Sequence, residues 1–542
     1  MFRKHGAIPV FLQGMLSLIF DRETGRINDE NEFSAQDFPT LIASVRQISL
    51  AFKKVRIDCT PSRVAAALTR FIDIERDFKS FNVTEADHAE FSAVSAVLWD
   101  NMLVDFQPST SVPSHGPGAT ADRISGNRKY NWRIWHERLE PYFPILDYGY
   151  PVSIHDHSEF DSVTLVPADC EQPVRVVTVP KTLKSPRIIA IEPCCMQYAQ
   201  HGIQAFLTDR IESYWLTTGH VNFTDQSINQ SLAMSSSISG QLATIDLSDA
   251  SDRVPRDLAL EMFRSNPDLQ DSIDACRSTH AEMPDGTIIG PLNKFASMGS
   301  ALCFPVEAMY FYTICVASLL KIRNLPVTQA NVFNVSRDVH VYGDDIVVPA
   351  TYAIAVLDYL QKYNCKVNIH KTFVKGNFRE SCGVDAYRGV QVTPVYLTMQ
   401  RPKNRQQASE LISWCSVANS FTRKNYWHTS QLMFSIIERI LGPLPFVSDT
   451  SQALGRTSLF GYDCNRHQKR RFNQKFQRLE VKAWIPQPVY RTDKLGGYGA
   501  LQKSFLSLQG LKNLDSPRDA LHLERSALYG AVVIKRRWVP TS

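Results

Sequence analysis

The chain has 542 residues, 44% of them hydrophobic and 21% charged, the balance of a soluble globular protein with room for several subdomains. Its net charge of +5 is small for the size, so any affinity for nucleic acid has to come from a locally basic channel and not from a uniformly basic whole. Eleven scattered cysteines, with one adjacent pair at Cys194 and Cys195 and no CxxC spacing, exclude a disulfide framework or a zinc site and suit reduced thiols in a cytosol.

Residues 1–20 set Arg3, Lys4 and His5 before an apolar run in the manner of a signal peptide. No small-residue cleavage pattern follows, and Pro9, Gln13 and Gly14 interrupt the run, so export is not expected. The region 1–128 mixes helical patterning with a loop at 107–121, whose Pro and Gly punctuation marks a boundary. Arg175, Lys181, Lys184 and Arg187 are interleaved with apolar residues and prolines, which predicts strands and turns that present cations along one surface. Such cations suit a triphosphate and its released pyrophosphate, with Arg as a planar fork and Lys as a point charge; the plain alternative is a solvated basic face. A helix is predicted over 197–215.

The stretch 242–247 predicts a strand with Asp246 near its carboxyl end, followed by Ser248, Asp249, Ser251 and Asp252. Asp249 in this reading is available to cap a helix that begins near Pro255, and Ser297 is available as another helix N-cap. The apolar run 301–320 would cross a bilayer only with Pro305 and Glu307 in lipid, where the acid alone costs roughly 2.5–3.5 kcal/mol, so a buried helix is predicted. Within 338–350, Val339 and Val341 alternate with polar neighbours, 346–348 is β-branched, and Gly343-Asp344 has the glycine-first chemistry of a two-residue hairpin. Ala353, Val356, Leu357 and Leu360 then keep helical spacing. After about 400 the chain reads as helical and then irregular. Arg466, Lys469, Arg470, Arg471, Lys475, Arg478 and Lys482 face one acid, Glu480, with Phe472 and Phe476 between them. That block suits either phosphate tracking with base stacking or a solvated helix face, and Lys535, Arg536, Arg537 and Trp538 repeat its chemistry.

The adjacent carboxylates Asp344 and Asp345 repel each other, and a divalent cation is the natural partner that keeps both ionised. Asp246, at the end of a separate strand, supplies the third acid that two-metal phosphoryl transfer requires. Mg2+ suits such a site because it takes few carboxylates and leaves room for substrate phosphates.

Several stretches carry a family resemblance when taken in order. They are TVPKTLKSPRIIAIEP at 178–193, DQSINQ at 225–230, DLSDASD at 246–252, SMG at 297–299, YGDD at 342–345, KTFVKGNFRESCG at 371–383 and VTPVY at 392–396. This ordered set resembles the replicase catalytic subunits of leviviruses, the positive-strand RNA phages. The similarity covers 178–396 well and the two ends poorly.

The resemblance implies an α+β, right-handed polymerase with fingers, palm and thumb, the palm an antiparallel sheet backed by helices. Residues 1–128 would bridge fingers and thumb, 129–240 the fingers with the basic segment, 241–400 the palm with a fingers insertion at about 256–292, and 401–542 the thumb and a basic extension. It implies RNA-directed RNA synthesis by two Mg2+ ions held by Asp246, Asp344 and Asp345, without a primer. Arg175, Lys181, Lys184, Arg187, Ser251, Asp252, Ser297 and Gly299 would bind the nucleotide, and Tyr342, Gly343, Arg379, Arg470 and Arg471 the RNA. Lys371 corresponds to a lysine proposed to protonate pyrophosphate, with Lys366 and Lys375 as close competitors. Implied partners are RNA, nucleoside triphosphates, host elongation factors Tu and Ts and a ribosomal protein, in the cytoplasm of a bacterial host and away from membranes.

Where reverse transcriptases carry a bulky aromatic that blocks the ribose 2′-hydroxyl, this chain has Ser251, beside Asp252. Either residue offers the hydroxyl a hydrogen bond, which favours ribonucleotides. A departure follows SMG: the family continues with a polar residue, a glycine and later a threonine, whereas here stand Ser300, Ala301 and Cys303, with Glu307 retained. The competing readings are a reverse transcriptase, disfavoured by Gly343 and Ser251, and a non-catalytic RNA-binding protein, disfavoured by the three acids.

Overall fold

The computed structural model describes residues 3–28, 37–150, 160–458, 468–489, 494–509 and 532–540. Helices α1 (Pro61–Asp77) and α2 (Glu85–Leu103) begin at legible signals: Pro61 opens α1, and the Thr84 hydroxyl accepts the Asp87 N–H at the start of α2. Strands β1 (Val174–Val179) and β2 (Arg187–Ile191) form an antiparallel hairpin, followed by α3 (Cys194–Ser213) and α4 (Ser227–Ser239). Next come β3 (Leu242–Asp246) and two short strands, β4 (Ala281–Glu282) and β5 (Ile288–Ile289), which extend the first hairpin into a sheet ordered β2-β1-β4-β5.

Helix α5 (Cys303–Ile322) precedes the hairpin of β6 (His340–Tyr342) and β7 (Asp345–Pro349), which α6 (Ala353–Lys362) follows. Strands β8 (Phe378–Ser381) and β9 (Val384–Tyr387) make a further hairpin. Helices α7 (Ala408–Arg423) and α8 (Trp427–Leu441) pack on each other. The last sheet is β10 (Arg470–Asn473), β11 (Arg478–Pro488) and β12 (Val532–Val539). The architecture is α+β.

The sheet that matters most is ordered β6-β7-β3 and is antiparallel throughout. Val341, Ile346, Val347, Val348, Ala243 and Ile245 are buried on it, and since successive side chains of β7 point to opposite faces, the β-branched run 346–348 is covered on both. Helix α5 runs beneath. It is apolar all round, and among the described residues it alone is long and apolar enough to span a membrane, yet 94% of that window is buried in protein. It therefore behaves as the core helix expected, with side chains such as Phe311, Ile314 and Leu319 each contributing roughly 1.5–3 kcal/mol by burial.

Four local expectations fail, two of them because of partners far along the chain. Asp249 caps nothing: its φ is +54°, and its carboxylate pairs with Arg70 of α1. Ser297 is not an N-cap either, because α5 begins only at Cys303 after Leu302. Of the two readings of the basic block the helix face fails: after 468 it is a strand pair, with Arg471 opposite Glu480 in register. Arg466 lies outside the described residues.

Arg379 is the fourth correction. It has no exposed surface, and its guanidinium donates to the carbonyls of Leu242 (2.6 Å), Gly376 (2.8 Å) and Phe378 (2.7 Å), so it ties β8 to β3 and does not face RNA. Arg379→Met is expected to destabilise the protein by about 3 kcal/mol or more, since each abandoned buried carbonyl costs roughly 1–3 kcal/mol. Urea unfolding measures this; an unchanged midpoint with weakened RNA binding would restore the RNA role.

Candidate active site

The tight turn at Gly343-Asp344 joins β6 to β7, with Tyr342 paired to Asp345. Gly343 adopts φ +59°, and a Cβ there would run into the Phe304 ring, so both conformation and space require glycine. The neighbouring pairing of β7 with β3 sets Asp345 directly opposite Asp246. Two strands distant in sequence thus bring the three acids to one end of one sheet.

Their electrostatics follow from this crowding. Asp344 is accessible from the open side but ringed by protein elsewhere, and this desolvation, followed by the charge of Asp246, raises its carboxyl above the usual range. Burial, then Asp344 and Asp246, push Asp345 up to about 7, although its Oδ2 accepts the Cys382 N–H at 3.2 Å. Beneath them Glu307, fully enclosed on α5, is held well above the carboxylate range by burial, then by Asp344 and Asp252.

The segment after α6 returns along β3 and supplies the counter-charge. Asn368 donates its amide N–H to Asp246 Oδ2 at 2.7 Å, and Lys371 Nζ reaches Asp246 Oδ1 at 3.1 Å and Glu380 Oε1 at 3.2 Å. Burial opposes the Lys371 ammonium, but Glu380 and Asp246 outweigh it and hold its proton far above the usual lysine range. Of the three lysines considered, Lys371 is the one that touches an acid of the cluster; Lys366 and Lys375 are exposed. Neither Asn368 nor Glu380 was singled out in sequence, where only their proximity to Lys371 in the chain pointed to them.

The DQSINQ stretch acts as a splint. Asn229 Nδ2 donates to the Asp345 carbonyl at 3.2 Å, and Gln230 Nε2 to the Cys382 carbonyl at 3.0 Å. Tyr342 is engaged inward: its hydroxyl donates to the Phe223 carbonyl at 2.9 Å and accepts from Gln226 at 3.2 Å. Cys382 is half-buried at the β8–β9 turn and meets Asp345 through its backbone amide.

The basic segment divides. Lys181 is exposed at the tip of the β1–β2 hairpin near the acids: surrounding protein and the like charge of Arg187 lower its pKa, while Asp344 and Asp246 act to raise it. Arg175 instead donates to the Thr120 carbonyl at 3.3 Å, and Lys184 sits exposed in the turn with no side-chain partner among the described residues. The turn is held from α1 and its approach, by Cys59 Sγ on the Thr182 carbonyl and by Arg63 on the Leu183 carbonyl.

On the other flank, Ser251 is buried and Asp252 half-buried in the turn after β3. The Ser297 hydroxyl donates to Asp252 Oδ1 at 2.7 Å. Gly299 next to it, at φ +135°, lies against the backbone of Ala190 in β2, and the Ala190 N–H donates to the Met298 carbonyl at 2.9 Å. Ser297 and Asp252 are therefore brought together, whereas Arg379 and Arg471 make their contacts with the Leu242 carbonyl and with Glu480.

Among the described residues no set of three or more His, Cys, Asp or Glu side chains is arranged to hold a metal ion as it stands. The donors nevertheless fit a hard cation: three carboxylates share one sheet end, two are raised by burial and then by neighbouring carboxylate charge, and a lysine ammonium occupies one face of the third.

Residues 160–427 match the family model described as RNA replicase, beta-chain. The RNA-directed RNA polymerase beta chain of Escherichia phage MS2 is 39% identical over 222 residues, 41% of this chain and 37% of that one. The RNA-directed RNA polymerase subunit beta of Escherichia virus Qbeta is 36% identical over 223 residues, 41% of this chain and 35% of that one. The match thus spans little more than a third of these relatives' length. Among solved structures, the RNA-dependent RNA polymerase of a human picorbirnavirus aligns over 79% of this chain and 80% of its own, with 12% identity and a TM-score of 0.46. All three acids, the cationic hairpin and the SMG loop fall inside the segment that matches the RNA replicase beta-chain family model.

Proposed function

We propose that the chain is an RNA-directed RNA polymerase that joins an RNA 3′-hydroxyl to the α-phosphate of a nucleoside triphosphate. The observation that carries this is the register of Asp246 against Asp345, with Asp344 on the adjoining turn and Lys181 within electrostatic reach. Asp246, Asp344 and Asp345 would hold two Mg2+ ions, which when bound activate the attacking oxygen and offset charge on the triphosphate. Lys181 and Arg187 bind and orient the phosphates from the hairpin tip, and Lys184 adds charge at its rim. Asp252, presented by Ser297, accepts the 2′-hydroxyl of a ribonucleotide; buried Ser251 backs it. Lys371 counters the acids before the ions arrive and is then an ammonium at the acid cluster that can give a proton to pyrophosphate.

In the same reading the β1–β2 region belongs to the fingers, the β6-β7-β3 sheet to the palm and α7–α8 to the thumb. RNA template and product, primer-independent initiation, a holoenzyme with elongation factors Tu and Ts and a ribosomal protein, and residence in the host cytoplasm complete it. Purified protein, alone and with host extract, should incorporate labelled ribonucleotides on RNA templates with and without a primer, and EDTA should stop it. Preference for deoxynucleotides would favour a reverse transcriptase, and binding without synthesis a non-catalytic RNA-binding protein.

The C-terminal sheet adds an RNA surface, on which the two arginines differ. Arg471 donates twice to buried Glu480 (3.0 and 2.8 Å) and stacks over Trp538, whereas Arg470 is exposed with no side-chain partner among the described residues. Arg470→Ala is expected to weaken binding of unrelated RNAs equally and to flatten the log-log salt dependence by about 0.7, the value for one single-strand phosphate contact. Arg471→Ala should chiefly lower the melting temperature. An unchanged salt slope in the first variant would leave Arg470 as solvated surface.

A further inference from the structure

Lys294 lies between the β4–β5 hairpin and Ser297, and its side chain is wholly buried. Its ammonium meets Asp252 Oδ1 at 3.1 Å and Glu75 Oε1 at 3.6 Å, and it sits over the Phe71 ring, 3.5 Å from the centroid. A buried ammonium is expensive unless it is paired, and packing alone would be served as well by an apolar chain of the same length. The backbone holds it there firmly: Phe295 N–H donates to Val254 O at 2.8 Å, Arg256 N–H to Asn293 O at 2.9 Å, and Asn293 N–H to Glu75 Oε2 at 3.0 Å. Helix α1 also grips both ends of the same turn, through Arg70 on Asp249 and Asp77 on Arg253.

The consequence falls on Asp252. Both Lys294 and Ser297 donate to its Oδ1, and among the described residues no hydrogen bond reaches Oδ2. A carboxylate pinned by one oxygen presents the other in a fixed direction, and Asp252 sits in the turn that follows β3, the strand whose end carries Asp246.

We propose that Lys294 is a positioning residue for sugar selection, which locks Asp252 through Oδ1 so that Oδ2 is held ready to accept a ribose 2′-hydroxyl. This rests on the polymerase reading above. Lys294 acts through Asp252 and does not touch the nucleotide.

The test is competition between ATP and dATP on one RNA template, with kcat and KM measured for each. Lys294→Met keeps the apolar stem and removes the charge. It should cut kcat/KM for ATP about tenfold, mostly through KM, and change dATP by less than about twofold, because a deoxynucleotide makes no bond to lose. Equal losses for ATP and dATP, or no loss, would overturn the proposal. Glu75→Gln keeps an acceptor for Asn293 and removes only the charge that competes for the ammonium. It should hold or raise the ribose preference, and a tenfold fall there would overturn the proposal even if Lys294→Met did not fold. Wild-type protein that incorporates neither nucleotide would instead sink the polymerase reading, an outcome separable from both variants.

Discussion

Asp344→Asn is expected to abolish RNA synthesis while leaving RNA binding nearly intact. The substitution keeps the shape of the turn but removes one of three charges that a cation would meet, a loss on the order of 10²–10³-fold or more when an electrostatic stabiliser is deleted from a phosphoryl-transfer site. In the proposed reading RNA binding rests on other groups, such as the exposed Arg470 of the last sheet, which the change does not touch. Filter binding and nucleotide incorporation measured in parallel check both halves. Appreciable Mg2+-dependent extension by the variant would remove Asp344 from the catalytic set, and an equal loss of RNA binding would make its role structural.

Gly299→Ala should be nearly as damaging, though it removes no functional group. At φ +135° an L side chain is strained by roughly 1–3 kcal/mol, and here the new Cβ would land on the Ala190 carbonyl. The loop can relieve this only by leaving β2, which breaks the Ala190–Met298 hydrogen bond and carries Ser297 away from Asp252. The expected result is loss of ATP incorporation with a lowered melting temperature. Wild-type values of both would show that the loop is free of β2 in solution.

What was legible in the sequence was local or dense in motif. The Gly343-Asp344 hairpin, the helix after it and the strand that ends at Asp246 follow from alternation and turn chemistry within a dozen residues, and the structure reproduces them. What failed depended on partners more than 100 positions away or on an unseen register. Asp249 looked like a cap because Arg70 was invisible to it, and Arg379 looked like an RNA ligand because the Leu242 carbonyl was. A helix face stayed open as one of two readings of the basic block, because charge spacing alone does not reveal the hairpin register that sets Glu480 opposite Arg471. Asn368 was missed for the same reason: its partner, Asp246, is reached only when the chain after α6 folds back along β3.

The pairing of β3 with β7 also sets a schedule for synthesis on the ribosome. Asp246 emerges about 100 residues before its partner Asp345, a wait of roughly 5–20 s at bacterial to eukaryotic elongation rates. During that interval Ala243 and Ile245, both buried in the finished protein, belong to a strand with an unpaired edge, the kind of surface that recruits other chains. Slow translation or high expression should therefore favour aggregation of nascent chains stalled between the two strands, and co-expressed chaperones should help most when they act on chains halted before residue 345.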